Sequence, residues 1–210
     1  RDTDRSRGLG DVYKRQGTSY MKMWMPASSD VSYFTALAPS AKTASSPYQS
    51  KPSLVVTMRK EKPAVEEPFV VVYEPISDKL STGLIESVDR IKLDSLGKKG
   101  CAIKVKTKEG DTFTLVNILK DGPVILNNQK CCGDFVIFAK RKGKNSVYVG
   151  NGSFVENKEF KVESENRGSF YMEYDQTSLL VRSNCPIKIQ AKNGMLKEPC
   201  LLYTSDAADD

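Results

Sequence analysis

The densest run of chemically capable side chains is Lys140-Arg141-Lys142-Gly143-Lys144, four cations around one glycine. Such a cluster can grip the sulfate, carboxylate or phosphate of a polymer through charge-assisted hydrogen bonds. The same lysines at a hairpin tip also guard a sheet edge against aggregation, so a purely structural role competes with a binding role. The only tryptophan, Trp24, sits in Met21-Lys22-Met23-Trp24-Met25-Pro26. Its indole could stack on the C–H face of a sugar, and its two methionine neighbours fit a core position equally well. The weak candidate set for carbohydrate binding is therefore Trp24, Lys140, Arg141, Lys142 and Lys144. No aromatic platform of the single-strand-binding kind accompanies the basic run, so nucleic acid is not expected as a partner.

No other pattern builds an active centre. The sequence contains no histidine, which excludes a Ser-His-Asp triad, a Cys-His pair, a His-bearing zinc site and an imidazole proton shuttle. Paired carboxylates could serve glycoside hydrolysis. The acids weighed for that role, Glu66, Glu67, Asp78, Glu109, Asp111, Glu163 and Glu165, fall at turns and strand edges and are expected in solvent. Nine tyrosines are present, none placed by sequence beside a cation that would make it a base. Of the five cysteines, Cys131 and Cys132 are adjacent and no C-x-x-C occurs, so Cys101, Cys131, Cys132, Cys185 and Cys200 are expected as buried free thiols, Cys185 above all. No catalytic residue, metal or cofactor is expected.

The elements that must position these residues read as strands. The chain has 210 residues, 39% of them hydrophobic, with a formal charge of +6. Short runs rich in Val, Ile, Thr, Phe and Tyr recur between turn formers. Strands are expected at 20–25, 54–59, 69–74, 84–93, 101–107, 112–119, 134–140, 146–149, 159–164, 169–174, 178–182 and 186–190. In 101–107, Cys101, Ile103, Val105 and Thr107 share one face and Lys104 and Lys106 the other. In 169–174, Phe170, Met172 and Tyr174 alternate with Tyr171 and Glu173. The apolar run Phe135-Val136-Ile137-Phe138 is expected to be covered on both faces. Turn signals stand at Glu109-Gly110-Asp111, Lys142-Gly143-Lys144-Asn145, Asn151-Gly152 and Lys192-Asn193-Gly194. The pattern predicts an all-β fold, an antiparallel β-sandwich with little helix.

Residues 26–53, rich in Ala, Ser and Pro, read as an irregular excursion with one helical turn near Tyr33–Leu37. Residues 60–68 read as an exposed connection, and a change of subdomain is expected near 75–83. Residues 1–16 and 201–210 read as non-native, adapter-like tails. Without them the chain carries 27 basic against 20 acidic residues, a net of +7, which suits an anionic partner. No run approaches the ~18 apolar residues of a membrane helix.

Met23-Trp24-Met25-Pro26, then Tyr33-Phe34-Thr35-Ala36-Leu37-Ala38-Pro39-Ser40-Ala41-Lys42-Thr43-Ala44, then Pro68-Phe69-Val70-Val71-Val72-Tyr73-Glu74-Pro75 resemble the C-terminal β-sandwich part of heparinase II/III-like polysaccharide lyases. The resemblance runs in register over roughly residues 20–190 and is sharpest over 21–75. It implies a galactose-mutarotase-like or lyase C-terminal sandwich, with 17–78 ending a central sandwich and 79–200 forming the C-terminal one. It implies a fragment whose N-terminal α/α toroid, carrying the catalytic groups, is missing. It also implies an acidic, uronic-acid-containing polysaccharide cleaved by β-elimination, and a periplasmic or secreted location. The family's catalytic Tyr or His, and its His- and Asp-bound metal, map onto no residue here. The alternatives are a free-standing carbohydrate-binding or adhesive sandwich, and an accessory domain of a glycoside hydrolase.

Overall fold

The structure, a computed structural model, describes residues 19–28, 31–37, 54–61, 68–77, 82–93, 100–118, 122–175 and 178–192. Thirteen strands and no helix fall within them, and every pairing is antiparallel. The chain divides into two compact units, one comprising Arg1–Ala64 with Phe69–Gly83, the other Val65–Pro68 with Leu84–Asp210. The expected tails at 1–16 and 201–210, the acids Glu66, Glu67 and Asp78, and the turn at Asn193-Gly194 lie outside the described residues.

The first unit holds two strand pairs. β1 (Ser19–Trp24) lies against β4 (Val72–Ser77). β2 (Val31–Leu37) lies against β3 (Leu54–Lys60). The expected helical turn at Tyr33–Leu37 is therefore wrong: these residues are extended, as Val31, Tyr33, Phe34 and Thr35 favour, and pair with β3. The Tyr33 hydroxyl donates to the Pro26 carbonyl at 3.1 Å, tying the start of β2 to the segment after β1.

The second unit is the sandwich. Its strands are β5 (Ile85–Ile91), β6 (Gly100–Thr107), β7 (Thr112–Ile118), β8 (Val124–Leu126), β9 (Gln129–Arg141), β10 (Lys144–Glu156), β11 (Phe160–Tyr174), β12 (Leu179–Ser183) and β13 (Lys188–Ala191). They join in the order β12-β11-β10-β9-β7-β6-β5, with β13 on β11 and β8 on β9. β9, β10 and β11 are long enough to serve two layers. Their ends toward the 141/144 hairpin pair with β7 and β12, and their opposite ends with β8 and β13.

At the corner between the layers the register slips, and three glycines line up across the strands: Gly152 faces Gly133 on one side and Gly168 on the other. Side chains are excluded there, since a Cβ on Gly152 would meet the Cys132 carbonyl oxygen at 2.3 Å. Asn151, with φ of 45°, supplies the bulge that bends β10. The expected hairpin turn at Asn151-Gly152 is thus a bulge inside one strand. Likewise, the separate strands expected at 159–164 and 169–174 are one strand, β11.

Residues from both layers form one core. Val124, Leu126, Cys131, Val155, Phe160 and Val162 come from the smaller layer. Val116, Val136, Val147, Val149, Phe170 and Met172 come from the larger. The alternation expected at 169–174 holds, with Phe170 and Met172 inward. In β6, Ile103 and Val105 are buried on the face opposite Lys104 and Lys106, and Ala102, on the lysines' side, reaches the core.

Three burial expectations are corrected. Phe135 is 41% exposed and Ile137 half-buried, so the outer face of the run is only partly covered; the Phe135 ring lies across Gly150, where a Cβ would come within 2.4 Å of it. The cysteine in the core is Cys131, at 0% exposure, while Cys185 is half-buried in the connection between β12 and β13. Asp111 is buried rather than solvated, because its carboxylate caps a neighbouring turn. β8, unexpected from its three residues, is defined by its hairpin to β9, where Asn127 and Asn128 take φ of 46° and 65°.

Candidate functional site

The basic run occupies the two-residue hairpin between β9 and β10. Arg141 faces Lys144, and Lys142 and Gly143 make the turn with φ of 47° and 82°. Positive φ at both positions matches the right-handed twist of the flanking strands. The tip is braced from the β6–β7 turn: the Lys142 backbone N–H donates to Asp111 Oδ1 at 3.1 Å, and Arg141 Nε stands 3.5 Å from Asp111 Oδ2. Asp111 is itself fixed by its backbone N–H donating to the Thr107 hydroxyl at 3.1 Å.

Lys144 Nζ donates to Glu173 Oε1 at 3.0 Å, and the Tyr171 hydroxyl donates to Glu173 Oε2 at 3.0 Å. These bonds hold the Glu173 carboxyl below its ordinary range and raise the Lys144 ammonium above its own. Both side chains stay wet, so the pair adds little stability. Two of the four cations are thus matched by acids. Lys140 and Lys142 are exposed and form no ion pair among the described residues. The hairpin therefore presents two unneutralised ammonium groups, with the Arg141 guanidinium 6.0 Å from the Phe113 ring centroid.

Trp24 belongs to the first unit and the basic hairpin to the second. It is 8% exposed, its indole N–H donates to Glu74 Oε2 at 2.9 Å, and the Lys22 ammonium lies 4.1 Å from its ring centroid. The ring is thus buried, with the Lys22 ammonium over it. Its buried partner Glu74 went unweighed in the sequence, because a carboxylate at the end of Val70-Val71-Val72-Tyr73 reads as the strand's wet edge.

The remaining reactive groups are quiet. Burial pushes the Cys131 thiol up to about 12, with adjacent Cys132 adding to the effect, and burial also raises Cys101. Burial first, then Glu159, raises the Tyr174 phenol; burial first, then Glu173, raises Tyr171. Both phenols shift away from what a base requires. Among the described residues no group of three His, Cys, Asp or Glu side chains could hold a metal ion. A shallow, open pocket is floored by Phe160, Met172, Leu179 and Ile189, with Glu159 and Asp175 on its wall. Those acids disfavour an anionic occupant.

The fold also gathers cations that the sequence disperses. On the outer face of the smaller layer, Lys130 on β9 faces Glu156 on β10, which faces Lys161 on β11. Lys192 Nζ, just beyond β13, donates to Glu156 Oε1. Nothing in the sequence links residues 130, 161 and 192; only the strand register does.

The chain is related in sequence to a polysaccharide lyase. That relative is an endo-acting ulvan lyase of Formosa agariphila, 29% identical over 158 residues. The match covers 72% of this chain and 19% of the relative, so the chain spans about a fifth of that protein's length. No family model and no solved structure matches the chain. Among the described residues no helix is long and apolar enough to cross a membrane.

Proposed function

We propose that this chain is the non-catalytic, C-terminal β-sandwich portion of a polysaccharide lyase of the heparinase II/III type. Residues 17–78 end a central sandwich and 79–200 form the last one. The parent cleaves a uronic-acid-containing polysaccharide by β-elimination in the periplasm or outside the cell, with its catalytic groups on an α/α toroid. The carrying observation is the 29% identity to an endo-acting ulvan lyase over 158 residues. Two features support a non-catalytic role: the sequence has no histidine, and the described tyrosines with shifted acidity are shifted upward.

In this reading the Lys140–Lys144 hairpin gives the parent a salt-sensitive hold on acidic polymer, through Lys140 and Lys142. The test incubates the 210-residue chain, and separately the parent reading frame, with ulvan and follows unsaturated uronate by ultraviolet absorbance. Product is expected from the parent alone. Product from the chain, or none from the parent, would refute the proposal.

A further inference from the structure

We propose that the outer face of the smaller layer is a subsite for an anionic sugar unit, with Phe154 as the stacking ring and Lys130 and Lys161 as the flanking anion contacts. This rests on the reading of the parent as a lyase of acidic polysaccharide and names a surface for that polymer. Phe154 lies on β10, two residues before Glu156, and so on the same face. The Lys130 and Lys161 ammonium groups stand 5.6 and 5.8 Å from its ring centroid, reaching in from the strands on either side. The two lysines are two strands apart, about 10 Å across the sheet.

The charges on this face are unequal. Lys130, Lys161, Lys188 and Lys192 look out beside Glu156 and Glu163. Lys161 meets Glu163 at 2.6 Å, Lys188 meets Glu165 at 3.1 Å, and Lys192 is bound to Glu156. Lys130 forms no ion pair among the described residues and carries the surplus charge. Ile125, opposite Lys130 on β8 and 46% exposed, extends the apolar floor toward the sheet edge.

An aromatic ring between ammonium groups suits a pyranose bearing carboxylate or sulfate. The sugar's C–H face packs on the ring, and the anion takes a lysine hydrogen bond. The open pocket on the same unit, walled by Glu159 and Asp175, lacks this complementarity.

The 210-residue chain is run through native gels containing dissolved ulvan, with polyglutamate gels as a sugar-free polyanion. Phe154→Leu keeps apolar bulk and removes the ring; Phe154→Tyr keeps a ring. Phe154→Leu is expected to weaken ulvan retardation roughly three- to tenfold, with Phe154→Tyr near wild type and polyglutamate mobility unchanged. Lys130→Ser with Lys161→Ser is expected to weaken retardation in both gels. The proposal is overturned if the wild-type chain is not retarded by ulvan, if Phe154→Leu is retarded like wild type, or if Phe154→Leu loses equally in polyglutamate. Tighter, Phe154-dependent binding of oligothymidylate would likewise overturn it in favour of a nucleic-acid surface. Absence of product from the parent reading frame bears on the lyase reading alone, and the gel shifts on the subsite alone.

Discussion

Replacing Gly152 by alanine should be among the most damaging single-methyl changes in the sandwich. The added Cβ would stand 2.3 Å from the Cys132 carbonyl oxygen, 2.4 Å from Val149 Cγ1 and 2.8 Å from Gly133 Cα. Two of these are backbone atoms of the paired strand, so relief requires opening the β9–β10 ladder at the corner. Overpacking a core usually costs about 1–3 kcal/mol, and contact with backbone on this scale belongs at the upper end, about 3 kcal/mol. At roughly 2–4 °C per kcal/mol for a chain of this size, the melting temperature should fall by about 6–12 °C. Gly143→Ala is the control. Its φ of 82° makes alanine strained, but nothing lies within 4 Å of the new methyl, so a loss of about 1 kcal/mol is expected. Gly168→Ala should fall between them, because its Cβ meets side-chain rather than backbone atoms: Cys185 Sγ can rotate away, while Cys185 Cβ, at 2.7 Å, requires a small shift of the β12–β13 connection. Thermal melts followed by far-ultraviolet dichroism decide the matter. A Gly152→Ala melt within about 2 °C of wild type, or no lower than Gly143→Ala, would refute the steric account.

Glu74→Ala removes the acceptor of a buried indole N–H, and should lower stability by about 1–3 kcal/mol; the emission of Trp24, the sole tryptophan, reports the shift, and an unchanged midpoint contradicts it. Cys131, fully buried, should resist a thiol reagent until urea unfolds the chain, which mass mapping of the labelled peptide would check. Stability should also decline in alkali. Cys131 and Tyr174 hold their protons more tightly folded than unfolded, where they titrate near 9.0 and 10.0. The unfolded chain then binds fewer protons, so the contribution is intact below about pH 9 and lost as pH climbs; equal urea midpoints at about pH 8 and pH 10.5 would argue otherwise. Lys140→Ser with Lys142→Ser should elute earlier from a heparin column, and unaltered salt elution would leave those lysines as ordinary solvated surface.

What could be read from the sequence was what local geometry controls. The alternation in Phe170-Tyr171-Met172-Glu173 sets inward and outward faces wherever the strand pairs. Lys142-Gly143 could be read as a turn because glycine relieves the positive φ it needs. The same logic misled at Asn151-Gly152, since an asparagine at positive φ serves a bulge as readily as a hairpin. Tyr33–Leu37 was misread because its strand-favouring Tyr33, Phe34 and Thr35 stand among Ala, Ser and Pro, and the partner that pairs them begins 17 residues later, at Leu54. Phe135 looked buried because an unbroken apolar run hides the period of two. The Phe154 face was invisible for a simpler reason: Lys130, Lys161 and Lys192 are neighbours only once three strands and the residue just after β13 come together.

The passage of β9, β10 and β11 through both layers has a mechanical consequence. Where two sheets are joined by loops, one can peel away while the other survives. Here three continuous spans cross the fold line, so each leaf is stitched to the other by uninterrupted main chain. Cutting the connection between β12 and β13 would still leave the leaves joined by these three spans, and thermal fraying that starts at β13 or β12 must travel along the same ribbon before either leaf comes loose.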